Sequence, residues 1–139
     1  MIDLCTLGTG GTMPLPDRAL ASLYVRVGGR AVLVDCGEGT QIGIQRLSWG
    51  IQCIDAILLT HYHADHCSGL PGMLLAITKA GRTAPLHIYG PIGLERVVAG
   101  LRVIAPSLSC PIVLHEIIDD YSPFAAIGLT ITPLSLIHI

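Results

Sequence analysis

The sequence is poor in aromatic residues and in lysine, and it has no long apolar run. Aromatic residues make up 4% of the 139 residues, and Lys79 is the only lysine among eight basic residues. No apolar run reaches the roughly 18 residues that a membrane-spanning helix needs. The start, Met1-Ile2-Asp3, lacks the basic region of a secretory signal. We therefore expect a cytoplasmic protein without a membrane segment.

The cysteines show no paired spacing. There are five of them, an odd number, and none forms a C-x-x-C pair: Cys5, Cys36, Cys53, Cys67 and Cys110. This pattern argues against a disulfide framework. Cys67 follows a cluster of histidines, and we interpret it as a small residue that opens the next helix, not as a metal ligand.

Positive charge is also scarce. The formal net charge is −2, and the basic residues form no cluster. Nucleic-acid binding usually shows a basic patch, so the composition alone does not favour an RNA-binding surface. The hydrophobic fraction of 51% is mostly aliphatic, which is typical of an α/β layered domain. The length suits about one domain.

Hydrophobic periodicity predicts short strands alternating with helices. Strands are predicted at residues 2–7, 23–27, 31–34, 56–59, 86–89, 112–118 and 129–134, and helices at 40–47, 68–78 and 92–104. Gly28-Gly29 predicts a two-residue hairpin turn, and Gly50 is expected to end the first helix. The glycines between Gly8 and Thr12 are not a dinucleotide fingerprint, because prolines follow where a helix should begin. We expect a tight turn there, near the cluster of histidines that precedes Cys67.

The most informative segment runs from Thr60 to His66. It follows a buried strand and contains three of the chain's six histidines and one aspartate: His61, His63, Asp65 and His66. In an extended segment, residues two apart point the same way, so His61 and His63 can hold one ion together. Imidazole and carboxylate suit Zn²⁺, with Mn²⁺ or Fe possible. The alternative is a solvated loop whose histidines bind nothing, which this clustering disfavours.

The H-x-H-x-D-H motif resembles the signature of the metallo-β-lactamase superfamily. The segments Asp35–Gln41, Gly69–Gly72 and Tyr89–Pro91 resemble its ribonuclease Z branch, whose members trim the 3′ end of precursor tRNA. The resemblance runs from about residue 4 to residue 131. It implies the N-terminal half of an αβ/βα sandwich, with a mixed sheet that is largely antiparallel at its start and has helices on one face. The other face should remain apolar for the missing half.

The resemblance also implies the site. His61 and His63 would hold a first Zn²⁺, Asp65 and His66 a second, and His138 falls where the family has a third histidine on the first ion. Asp65 would also take the proton from the attacking water. Two ions ~3.5–4 Å apart would activate that water and stabilise charge on the phosphate and the leaving oxygen. The bridging carboxylate and the last histidine of the family cannot be placed in this chain.

Three further residues receive an interpretation. Asp35 is interpreted as a carboxylate that fixes the ligand loop by hydrogen bonds, the alternative being an ordinary turn cap. His87 and His115 are interpreted as surface or strand-packing histidines. Residues 1–133 are predicted to form the N-terminal half of the domain. Residues 134–139 match the translation of a common sequencing adapter, so we expect an artefactual tail. Two alternatives therefore stay open for His138, a metal ligand or a chance histidine.

The implied function is metal-dependent phosphodiester hydrolysis of precursor tRNA, by a protein that is a homodimer at full length. In the resembled branch, much of the tRNA contact comes from an inserted arm that this chain does not contain. One alternative is a related hydrolase of small phosphodiesters, sulfate esters or thioesters, because the same motif serves all of them. Another is a non-catalytic metal-binding fragment. In either case we expect the present chain to be inactive alone.

Overall fold

The computed structural model of the chain describes residues 1–118 and 121–134. The strands are β1 (Ile2–Gly8), β2 (Ser22–Val27), β3 (Arg30–Val34), β4 (Ile54–Leu58), β5 (Leu86–Pro91), β6 (Ile112–Ile117), β7 (Phe124–Ala126) and β8 (Leu129–Ile131). The helices are α1 (Thr40–Leu47), α2 (Ala64–Cys67), α3 (Leu70–Lys79) and α4 (Leu94–Arg102). Among these described residues, no helix is long and apolar enough to cross a membrane.

Six strands form one mixed sheet in the order β1-β2-β3-β4-β5-β6. The first three strands are antiparallel, and β3 to β6 are parallel. The β2–β3 hairpin turns at Gly28 and Gly29, whose φ angles of 56° and 83° confirm the predicted two-residue turn. Each parallel connection contains a helix, as crossover connections require. The carboxyl ends of β3, β4 and β5 therefore meet at one edge of the sheet.

Helices α1, α3 and α4 cover one face of this sheet, which confirms the predicted layering. Leu33 on β3, Ile57 on β4 and Ile88 on β5 point to this face and are fully buried. Met73 and Leu74 of α3 pack against them, as the helical spacing of that segment predicted. Each such side chain contributes about 1.5–3 kcal/mol by burial, so this layer fixes the sheet edge that carries the motif.

The second face is only partly open. The β7–β8 hairpin packs over Val32 and Leu58 through Ala126. At the β1 end of the same face, Ile2 and Leu4 remain 56% and 64% exposed. The expected apolar surface is thus present along β1, while the hairpin covers the centre of the face.

Several predicted boundaries are wrong, each for a local reason. The predicted 68–78 helix corresponds to α3, which begins two residues later, and the short helix α2 before it was not predicted. Gly69 lies between the two helices and passes so close to backbone that a Cβ there would lie 2.1 Å from the Gly37 carbonyl oxygen. The predicted 92–104 helix is shorter, since Gly93 has a left-handed φ of 96° and α4 begins after it. Helix α1 covers Thr40–Leu47 as predicted, but the residue that caps its end is Ser48, in the left-handed conformation, and not Gly50.

The final predicted strand also differs. Residues 129–134 were expected to form one strand, but β8 covers Leu129–Ile131 and pairs with β7 in a separate two-stranded sheet. The sequence also predicts a turn at residues 119–123, of which 119 and 120 lie outside the described residues. Strand β7 has only three residues, and so short a segment carries no clear periodicity.

Candidate metal centre

The predicted ligands follow β4 at the carboxyl edge of the sheet. The rings of His61 and His63 have centroids 4.6 Å apart, and those of His61 and His66 are 4.0 Å apart. Nε2 of His66 lies 3.6 Å from Oδ2 of Asp65. The fold therefore brings these four side chains together. His138 lies outside the described residues.

Asp35 fixes this loop from the neighbouring strand. It is 6% exposed, and its backbone N–H donates to the carbonyl of Leu58 at 2.7 Å. Its Oδ1 accepts the backbone N–H of Thr60 at 2.8 Å, and its Oδ2 lies 2.7 Å from Nδ1 of His66. The hydrogen bonds predicted for Asp35 are thus present, and they hold both ends of the ligand loop.

These contacts also determine which imidazole nitrogens are free. An ionised carboxylate only accepts hydrogen bonds, so the Thr60 hydroxyl and Nδ1 of His66 both donate to Asp35. The Thr60 oxygen, having donated its proton, accepts from Nδ1 of His61 at 3.0 Å. In their neutral forms, His61 and His66 therefore carry the proton on Nδ1 and leave Nε2 free, which is the tautomer that ligates a metal through Nε2.

Asp65 is held by the glycine-rich turn after β1. The backbone N–H of Thr12 donates to its Oδ2 at 3.0 Å, which confirms that this turn lies next to the motif. That N–H lowers the pKa of the Asp65 carboxyl, and His66 and His63 lower it further, against partial desolvation. Asp65 is therefore ionised at neutral pH and available as a ligand or a base.

The surroundings of His61 disfavour protonation of its imidazole. Burial lowers its pKa, and the neighbouring His66 and His63 lower it further, although Asp35 and Asp65 act in the opposite direction. A neutral imidazole is the form that binds a metal. The surroundings that lower the pKa of His61 therefore favour binding of a metal cation to its ring over protonation of the ring.

The donor set fits a divalent metal, but only in part. Within residues 1–118 and 121–134, no group of three or more ligand-type side chains is already arranged around one ion. The predicted assignment divides the described donors into two pairs, His61 with His63 and Asp65 with His66. Catalytic zinc sites use three protein ligands and structural sites four, so each pair is at least one ligand short.

Two side chains inside the motif point away from the ligands. The Tyr62 hydroxyl donates to the carbonyl of Pro91 on β5. The Cys67 thiol donates to the carbonyl of His63 at 3.3 Å, and burial raises its pKa, as do the nearby Asp35 and Asp65 carboxylates. The prediction that Cys67 opens the next helix is wrong, since it is the last residue of α2.

Sequence reasoning missed the contact of Tyr62, although alternation along an extended segment could have indicated it. Residues one apart point to opposite sides, so the aromatic ring between His61 and His63 has to leave the metal side of the loop. What the sequence does not reveal is the partner it meets, because Pro91 is 29 residues away.

His87 and His115 lie on the second face of the sheet. Nδ1 of His87 is 2.9 Å from Nε2 of His115. His115 stacks on Tyr89, and Tyr89 stacks on Phe124, with centroids 4.4 Å and 4.6 Å apart. Burial lowers the pKa of His115, and His87 lowers it further. These contacts agree with the strand-packing interpretation of both residues.

Similar proteins were found by sequence. The ribonuclease Z of Clostridium kluyveri is 50% identical over 139 residues, covering 99% of this chain and 46% of that protein. The ribonuclease Z of Lachnoclostridium phytofermentans is 57% identical over 108 residues, covering 78% of this chain and 36% of that protein. The chain thus spans about half the length, or less, of these curated relatives.

Solved structures share the fold. The crystal structure of the short form of human tRNase Z matches with a TM-score of 0.74 and 35% identity, covering 84% of this chain and 45% of that one. A diphosphatase of the PhnP family matches with a TM-score of 0.73 and 24% identity, covering 95% of this chain and 56% of that one. At this identity the second likeness shows the fold alone.

The family profile described as the metallo-beta-lactamase superfamily matches residues 16–136. That span includes Asp35, the whole ligand loop and every strand from β2 to β8. Membership implies binding of a divalent metal, which agrees with the imidazole and carboxylate donors at the sheet edge. By sequence and by fold, the chain belongs to the metallo-β-lactamase superfamily.

Proposed function

We propose that this chain is the N-terminal part of a tRNA 3′-processing endoribonuclease, a metal-dependent phosphodiester hydrolase that cuts precursor tRNA after the discriminator base. The observation that carries the proposal is the ligand loop, in which Asp35 and Thr60 leave Nε2 of His61 and His66 free for a metal. The names of the relatives, ribonuclease Z and tRNase Z, support the substrate.

The proposed roles follow the two ligand pairs. His61 and His63 hold one Zn²⁺, and Asp65 and His66 hold another; Mn²⁺ or Fe suits the same donors. The bound metal supplies positive charge for the attacked phosphate and lowers the pKa of water toward ~7. Asp65, ionised and anchored by the Thr12 N–H, accepts the proton of the attacking water.

The remaining ligands come from sequence beyond this chain, in the full-length protein that the locus encodes. We propose that residues 134–139 are an artefactual tail and that the native sequence diverges at or just after Pro133. If the tail is native instead, His138 is the third ligand of the first ion. A genomic read through this position decides between the two, and a stop codon directly after Ile139 would favour a non-catalytic fragment. The full-length protein is further proposed to be a cytoplasmic homodimer.

The test is cleavage of a 3′-extended precursor tRNA by the full-length protein with Zn²⁺ or Mn²⁺ supplied. The expected product ends after the discriminator base, and the chain of residues 1–139 alone gives no turnover because its ligand set is incomplete. Removing the metal with a chelator should stop the reaction, and adding Zn²⁺ back should restore it.

A small phosphodiester such as bis(p-nitrophenyl) phosphate is the comparison substrate. A metal-loaded full-length protein that hydrolyses this ester but leaves precursor tRNA intact would contradict the tRNA proposal and favour the small-substrate alternative. The low positive charge of this half of the molecule makes that comparison necessary, since the net charge is −2.

A further inference from the structure

We infer that Tyr62 is a positioning residue that joins the first ligand pair to the carboxyl end of β5. The inference rests on the proposed function, because it concerns the same metal centre. The H-x-H-x-D-H motif gives no role to this residue. The Tyr62 hydroxyl serves as a hydrogen-bond donor to the protein and not as a metal ligand.

Tyr62 is placed so that a movement of its side chain displaces both neighbouring ligands. It lies between His61 and His63, and its side chain leaves the loop on the side opposite to theirs. Its ring packs against the helix-covered core, and its hydroxyl donates to the carbonyl of Pro91. A shift of the ring therefore moves the two peptide units that carry His61 and His63.

The end of β5 leaves room for the Tyr62 hydroxyl because residue 90 is a glycine. A Cβ added at Gly90 would lie 3.0 Å from the Tyr62 hydroxyl and 3.0 Å from Cδ1 of Leu94, so a side chain there would press on both of these neighbours. The turn after β5 is also fixed, because the backbone N–H of Gly93 donates to Oε1 of Glu116 at 2.8 Å. The segment that carries the acceptor of Tyr62 is thus held to β6, with which Pro91 also pairs.

The ring is not held by packing on all sides. It borders an open cavity of about 380 Å³ between α2 and α4, whose walls include Cys67, Arg96 and Leu101. On this side the ring faces the cavity, so its position depends on its packing against the core, on the hydroxyl hydrogen bond and on the Gly90 contact. The other ligands have hydrogen-bond partners of their own, since Thr60 holds His61, Asp35 holds His66 and Thr12 holds Asp65.

The experiment compares Tyr62→Phe with Tyr24→Phe in the full-length protein. Tyr24 is a matched control, because its hydroxyl also donates to a backbone carbonyl, that of Gly50 at 2.9 Å, but from β2. Zinc affinity is measured by chelator competition, and the visible absorption spectrum of bound Co²⁺ reports the ligand geometry. Tyr62→Phe should weaken the affinity about 10-fold, as for other groups that orient metal ligands, and change the Co²⁺ spectrum.

Tyr24→Phe should leave both metal readouts at the wild-type values while reducing stability. Gly90→Ala adds a methyl group beside the Tyr62 hydroxyl, so it should also weaken zinc affinity and change the Co²⁺ spectrum. If Tyr62→Phe keeps the wild-type zinc affinity and Co²⁺ spectrum, the inference about Tyr62 is wrong and the proposed function is unaffected. Failure of the unsubstituted full-length protein to bind either Zn²⁺ or Co²⁺ would overturn the proposed function, and the inference with it.

Discussion

Oδ2 of Asp35 lies 2.7 Å from Nδ1 of His66, although 31 residues separate the two in sequence. The same carboxylate accepts two hydrogen bonds from Thr60, so one side chain on the turn after β3 orients both ends of the loop that follows β4. This contact selects the imidazole tautomer that leaves Nε2 free, and it makes Asp35 the main support of the candidate centre.

Asp35→Asn should weaken zinc binding by about 10–100-fold without disrupting the backbone. Asp35 has a left-handed φ of 61°, which asparagine tolerates as well as aspartate. The amide nitrogen cannot accept a hydrogen bond, so either Thr60 or His66 loses its acceptor. Chelator competition on the full-length protein measures the effect.

Asp55→Asn is the control for this change. Asp55 also accepts charged hydrogen bonds, from Arg30 and from Arg82, but it lies at the opposite end of β4. Its substitution should reduce stability and leave zinc affinity unchanged. Equal losses of zinc affinity in both variants would show that Asp35 acts only through global stability.

Much of the site could be predicted because its chemistry is local in sequence. His61, His63, Asp65 and His66 fall within six residues after a buried strand, and the alternation of an extended chain places the first two together. The interpretation of Asp35 as the residue that fixes this loop agrees with the observed sheet topology. Parallel strands joined by helices end at the same edge, so the turn at Asp35 had to lie near the loop.

The remaining contacts could not be predicted because they join distant segments through backbone geometry. The bond from the Thr12 N–H to Asp65 spans 53 residues. The break between α2 and α3 depends on the approach of Gly69 to Gly37, which no periodicity reveals. Propensity predicts an element from its own residues, whereas tertiary packing decides where that element is interrupted.

Asp65→Ala should abolish hydrolysis of precursor tRNA by the full-length protein. Loss of a general base alone typically lowers kcat by about 10²–10⁴-fold, and loss of a metal ligand adds to that. Single-turnover cleavage of a 3′-extended tRNA measures it. Retention of more than about a tenth of wild-type kcat would contradict the assigned role.

His87→Ala and His115→Ala are the matched controls for that assay. Their rings contact each other and the aromatic rings on the second face of the sheet. Their removal should therefore reduce stability by at most a few kcal/mol and leave kcat nearly unchanged. A large loss of kcat in either variant, at full zinc occupancy, would give this pair a part in the reaction.

The contribution of Asp55 to stability should depend on pH. Burial raises the pKa of its carboxyl, but the hydrogen bonds from Arg30 and Arg82 outweigh burial and lower it below the ordinary value. Because the folded-state pKa is lowered, the stabilisation is present above the unfolded-state pKa of about 3.9 and is lost as pH falls through the folded-state value.

Urea unfolding of the full-length protein and of Asp55→Asn measures this dependence. At pH 7 the substitution should lower the free energy of unfolding by about 1.5–3 kcal/mol, as for hydrogen bonds to a charged group. The difference between the two proteins should shrink as the pH falls below 4. A difference that stays constant from pH 7 to pH 3 would rule out the ionised carboxylate as its source.

Gly69→Ala should damage both stability and the metal centre, whereas Gly100→Ala should improve stability. A Cβ at Gly69 would lie 2.1 Å from the carbonyl oxygen of Gly37 and 2.9 Å from that of Cys36, so the turn that carries Asp35 must move. Overpacking of this kind costs about 1–3 kcal/mol, and the displaced Asp35 should also weaken zinc binding. Gly100 lies within α4, where a Cβ would project into open space, so alanine there should add about 0.5–1 kcal/mol. Thermal unfolding and chelator competition test the pair, and unchanged zinc affinity in Gly69→Ala would show that the turn at Asp35 adapts without affecting the ligands.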